Sequence, residues 1–124
     1  MWYTQQIRSL NEYTFESAKQ EEVIFHEIKP DKQSIGQTEN PQSFTSHNIE
    51  LKSGTTFYLM TDGYADQFGG DKQKKLTTKR LKETLLSVQK LSMEDQKAEL
   101  ETYLNKWKGS LEQVDDVLVV GIRF

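Results

Sequence analysis

The stretch Thr56-Phe57-Tyr58-Leu59-Met60-Thr61-Asp62-Gly63 limits the fold more than any other in this chain. Its first five residues carry few polar interruptions, so they read as a central strand covered on both faces. The strand then stops at Asp-Gly, a turn pair. A second apolar run, Val117 to Ile122, follows Asp115-Asp116. One acidic corner therefore closes a buried strand and another opens one. If the two strands are antiparallel neighbours, the end of the first lies beside the start of the second. Both corners then reach the same edge of the sheet. Carboxylates so placed repel each other until a cation or a shared proton intervenes. Mg²⁺ or Mn²⁺ suits oxygen ligands of this kind. Gly63 lets backbone or a hydrated ion come close. The plain reading stands beside this one: Asp-Gly is a common turn, and Asp-Asp before a strand is often solvated loop.

The remaining segments predict an order of four strands, two helices and a last strand. Strands are expected at Trp2–Ile7, Val23–Ile28 and Phe44–Leu51, besides Thr56–Met60. Ser9–Glu22 is polar and reads as loop. Pro30 ends the second strand, because proline cannot donate to a ladder. Ile35-Gly36 punctuates the chain, and Lys52-Ser53-Gly54-Thr55 reads as a hairpin-like turn. Leu81, Leu85 and Val88 share a helical face. Ser92 with Asp95 resembles a capping box, and Leu100, Tyr103, Leu104 and Trp107 mark the face of the helix that follows. Gly109 stops it.

Composition narrows the function classes. The 124 residues include 16 basic and 19 acidic side chains, for a net charge of −3, with 35% apolar residues and no cysteine. A disulfide scaffold and a cysteine zinc site are excluded, and a reducing compartment is consistent. Nucleic acid and anionic lipid gain no overall attraction. No apolar run approaches the roughly 18–20 residues that cross a bilayer. The start of the chain does not read as a signal peptide.

Ile35-Gly36, Phe44, Ile49, Leu51 and Gly54, then "FYLMTDGYAD" and "EQVDDVLVVGIRF", resemble the C-terminal half of the SpoIIE-like branch of the PPM-type metal-dependent serine/threonine phosphatases. The resemblance runs from about Ile28 to Phe124, with "TDGYADQFGG" and "QVDDVLVVGIR" as its most specific pieces. It implies an α+β chain: part of a PPM-type β-sandwich, mainly antiparallel, with a helical hairpin before the last strand. It implies Asp62 and Asp115 as ligands of one Mn²⁺ or Mg²⁺ ion of a two-ion centre. Asp116 takes a supporting polar position, and Asp66 a structural one that caps the turn after Gly63. It implies hydrolysis of phosphoserine or phosphothreonine in bacterial, cytoplasmic signalling. The substrate would be a phosphoprotein such as an anti-sigma-factor antagonist, and a sensor domain would lie upstream.

The family also uses a bridging aspartate in a D-x-x-G-H-G motif. The two histidines, His26 and His47, lack that context, and Asp31 sits in a turn, "KPDKQ". Residues 1–124 are therefore expected to form one partial domain, without a complete catalytic set and inactive by itself. Apolar faces that a missing half would cover predict a homodimer. The rival functional reading is a non-catalytic module that binds a regulatory partner. Lys72, Lys74, Lys75, Lys79, Arg80 and Lys82 form a basic cluster. It reads first as a solvated face, since acidic residues follow at once, and second as an attractor of phosphoprotein or nucleic acid.

Overall fold

A computed structural model describes residues 2–6, 23–33 and 39–124. The loop expected over Ser9–Glu22 and the Ile35-Gly36 break lie outside the described residues. Four strands form one antiparallel sheet in the order β2-β1-β3-β6: β1 (Trp2–Gln6), β2 (Val23–Glu27), β3 (Thr56–Met60) and β6 (Val119–Arg123). Between β3 and β6 the chain makes a one-turn helix α1 (Gly63–Asp66), a short ribbon of β4 (Phe68–Gly69) with β5 (Lys74–Lys75), and the helices α2 (Thr78–Ser87) and α3 (Met93–Lys108).

The helices cover one face of the sheet. Tyr58 and Gly121 stand opposite each other in the β3–β6 register. Tyr58 points into a core with Tyr64, Leu76, Leu81, Leu85 and Leu100, and Phe25 packs against that core from β2. The helical spacing of Leu81 and Leu85 brings both to zero exposure. Two tyrosines reach this depth because their hydroxyls are satisfied. Tyr58 donates to Gln96 Oε1 at 2.6 Å and accepts from Gln89 at 2.7 Å, and Tyr64 donates to the Leu100 carbonyl at 2.7 Å. Arg123 ties the strand to the helical loop by donating to the carbonyls of Leu91 and Gln89. Lys82 does the same at the other side, pairing with Glu27 at 2.9 Å.

The opposite face is apolar and open. By register Phe57 stands beside Ile122, and Leu59 beside Val120. Leu59, Val120 and Ile122 are 44%, 38% and 45% exposed. The reading of Thr56–Met60 and Val117–Ile122 as covered on both sides is thus corrected: among the described residues only one side is covered. Strict alternation with period two puts apolar side chains on both faces, but the helices occupy only one.

A second correction concerns Phe44–Leu51, which forms no strand. Phe44 and Leu51 are exposed, so the alternating residues find no face to cover. Side-chain bonds shape the segment instead. Asp31 accepts from the Thr45 amide at 2.6 Å and from the Thr45 hydroxyl at 3.0 Å, which holds its carboxyl below the usual range. The helix ends follow their sequence signals. Ser92 Oγ accepts from the Asp95 amide at 3.1 Å, and α3 stops at Gly109. No helix among the described residues is long and apolar enough to cross a membrane.

Candidate functional site

The two acidic corners meet. The antiparallel pairing of β3 and β6 sets Met60 against Val119, so the chain leaving β3 passes the chain entering β6. Thr61 fastens the crossing. Its amide donates to the Leu118 carbonyl at 3.1 Å. Its hydroxyl donates to the Asp116 carbonyl at 2.8 Å and accepts from the Leu118 amide at 3.0 Å. Three bonds from one residue fix the two strands at their shared end.

Gly63 permits the contact. A Cβ there would fall 2.3 Å from the Asp116 carbonyl oxygen, closer than real side chains come. The backbone of the first acidic corner thus lies directly on that of the second. Asp62 is the N-cap residue of α1, with its carboxylate exposed and not capping. Asp115 is exposed too; its Oδ1 accepts from the Asp116 amide at 2.7 Å, which orients the carboxyl against its own turn. Its carbonyl accepts from Gln113 at 2.8 Å.

Asp66 ends α1, and its amide donates to the Asp62 carbonyl at 2.9 Å. Its side chain pairs with Lys75 at 3.1 Å, so it links α1 to β5. His26 lies on β2, away from this corner, and His47 is an exposed loop residue. Sequence reasoning passed over Thr61. The hydroxyl one position before Asp-Gly was the available signal, but its partners come from the far end of the chain. It also passed over Gln67, fully buried, which donates to the Phe68 and Glu112 carbonyls and whose own carbonyl takes the Trp107 indole N–H.

The acidic side chains that the two corners contribute, Asp62, Asp115 and Asp116, are all carboxylates. That set fits a hard divalent cation. Among the described residues no group of three or more histidine, aspartate or glutamate side chains gathers to hold one. Asp62 and Asp115 each bring one exposed carboxylate to this end of the sheet.

Among solved structures, the SiaA-PP2C domain of Pseudomonas aeruginosa is similar at 28% identity, with a TM-score of 0.63 over 67% of this chain and 34% of that chain. The chain therefore spans about a third of that structure's length. A search of curated proteins finds no match. Residues 17–124 match the family described as Stage II sporulation protein E (SpoIIE). With its mainly antiparallel sheet and helices before the last strand, the chain belongs to this family, a branch of the generally metal-dependent PPM-type phosphatases.

Proposed function

We propose that this chain carries one side of the metal centre of a phosphoserine/phosphothreonine protein phosphatase, with Asp62 and Asp115 as ligands. The observation that carries the reading is the contact of Gly63 with the Asp116 carbonyl, which joins the two acidic corners. Bound there, Mn²⁺ or Mg²⁺ would neutralise phosphoryl oxygens and acidify a water. The residues of the chain have separable roles. Asp62 and Asp115 offer carboxylate oxygens from the end of β3 and the approach to β6. Thr61 and Gly63 hold those two backbones together. Asp116 orients Asp115 through its amide.

The 124 residues contain no D-x-x-G-H-G motif. In this reading the bridging carboxylate comes from outside them, and the chain by itself hydrolyses nothing. The complete domain would act in bacterial cytoplasmic signalling on a phosphoprotein, such as an anti-sigma-factor antagonist, under an upstream sensor. Titration with Mn²⁺ tests the corner directly. We expect affinity on the order of millimolar, because two carboxylates make an incomplete shell. Asp62→Asn and Asp115→Asn should each weaken it. Tight binding that survives both substitutions would place the ions elsewhere. Mn²⁺-dependent hydrolysis of p-nitrophenyl phosphate by the pure chain, abolished by Asp115→Ala, would refute the need for an outside carboxylate.

A further inference from the structure

Beyond the acidic corner, the described residues form a cleft of about 490 Å³ between the β4–β5 ribbon and the end of α3. Its floor is Gly69, Gly70 and Trp107. A Cβ on Gly69 would fall 1.9 Å from the Trp107 carbonyl oxygen, and the Gly70 amide donates to that carbonyl at 2.8 Å. The glycines therefore let the ribbon lie directly on α3. The walls are basic: Lys72 from the ribbon turn, Lys74 and Lys75 from β5, and Arg80 from α2, against the single acid Asp71. In a chain of net charge −3 this is a local reversal of sign.

The cations differ in what they already do. Lys75 pairs with Asp66 at 3.1 Å. The Arg80 guanidinium lies 4.6 Å from the centre of the Trp107 ring. Stacked there, it keeps its N–H edge for another partner and loses little freedom when it binds one. Among the described residues, no carboxylate pairs with Lys72, Lys74 or Arg80. The backbone around them is strained. Gln73 has φ of 47° and Thr77 of 78°, and neither is glycine. A β-branched residue rarely adopts such an angle, and strain of this kind gathers at ligand clamps.

We propose that this cleft docks an acidic segment of a protein partner, the phosphoprotein on which the neighbouring corner acts. The identity of that partner rests on the phosphatase reading above. Position supports it: Asp62 is the N-cap residue of α1, Asp66 ends α1, and Asp66 holds Lys75. One helical turn of about 6 Å and one ion pair thus separate the acidic corner from the basic ribbon. A polypeptide seated in the corner would reach the cleft within roughly four to six extended residues. Charge supports it too. Aspartate or glutamate side chains match Arg80 and the lysines, while the acidic remainder of the chain repels them and so sets their position. The Arg80 guanidinium already lies 4.6 Å from the centre of the Trp107 ring, and this engagement argues against stacking of a single-stranded base there.

The test is fluorescence anisotropy with a labelled oligo-glutamate peptide, an oligo-glutamine peptide and a single-stranded DNA oligonucleotide. We expect the full chain to bind oligo-glutamate, with affinity falling as salt rises. Lys72→Gln with Lys74→Gln should weaken binding about five- to tenfold, as for the loss of two exposed ion pairs. Both lysines are exposed, so the fold should persist. Unchanged affinity in that double variant would overturn the proposal. So would equal binding of oligo-glutamine, or tighter binding of the oligonucleotide. The measurement needs neither metal nor hydrolysis. Its failure would leave the metal corner standing, and failure of the Mn²⁺ titration would leave the docking cleft standing.

Discussion

Replacing Gly63 by alanine probes the junction on which the candidate site depends. The added Cβ would meet the Asp116 carbonyl oxygen at 2.3 Å and its carbon at 2.8 Å. Neither atom belongs to a flexible side chain, so the two backbones must separate. Overpacking of this kind costs about 1–3 kcal/mol. Separation also strains the bonds from Thr61 to the Asp116 and Leu118 carbonyls, each contributing about 0.5–1.5 kcal/mol. Against this, alanine favours a helix over glycine by about 0.5–1 kcal/mol, and Gly63 opens α1. The clash wins, and the net loss should be about 2–3 kcal/mol. That is a large part of the roughly 5–15 kcal/mol that holds a domain together. Urea unfolding measures it. Gly109→Ala is the control: nothing lies within 4 Å of a Cβ there, and only the positive φ of 57° penalises the change. Both variants should lose stability, but only Gly63→Ala should also weaken Mn²⁺ binding. A Gly63→Ala chain within about 0.5 kcal/mol of the parent would show that helix propensity outweighs the contact, and would refute the close junction.

Other outcomes follow from the core and the open face. Tyr58→Phe leaves Gln96 Oε1 without its buried donor and should cost about 1–3 kcal/mol in urea unfolding; a neutral result would mean that water reaches this part of the core. Burial holds the Tyr58 and Tyr64 hydroxyls above their usual pKa of 10.0. Below about pH 10 both folded and unfolded chains keep these protons, but above it only the unfolded chain releases them freely. Stability should therefore fall as pH rises past 10, and two fewer tyrosines titrating with the surface class should appear in phenolate absorbance. The exposed face of Leu59, Val120 and Ile122 leads us to expect self-association of the 14.4 kDa chain. A monomer by light scattering across roughly a hundredfold range of concentration would refute it.

Much of this protein was legible in its residue order. Thr56–Met60 and the last apolar run announce strands because their β-formers are continuous and bounded by turn chemistry. Leu81, Leu85 and Leu100 announce helices by spacing, and Ser92 and Gly109 mark helix ends by capping chemistry. These are local properties, decided within a few residues. The pairing of the two acidic corners was readable only as a condition, that β3 and β6 be antiparallel neighbours. The fold meets that condition, and Thr61 and Gly63 make the junction close through partners more than fifty positions away. Phe44–Leu51 fails as a strand because alternation supplies a pattern but no sheet to receive it. The basic cluster reads as ordinary solvated charge along the chain. Only packing divides it, drawing Lys82 to Glu27 and Lys75 to Asp66 and laying Arg80 on Trp107. Local propensity depends on neighbours in sequence; a site depends on which distant residues the core brings together, and that is a property of the folded chain alone.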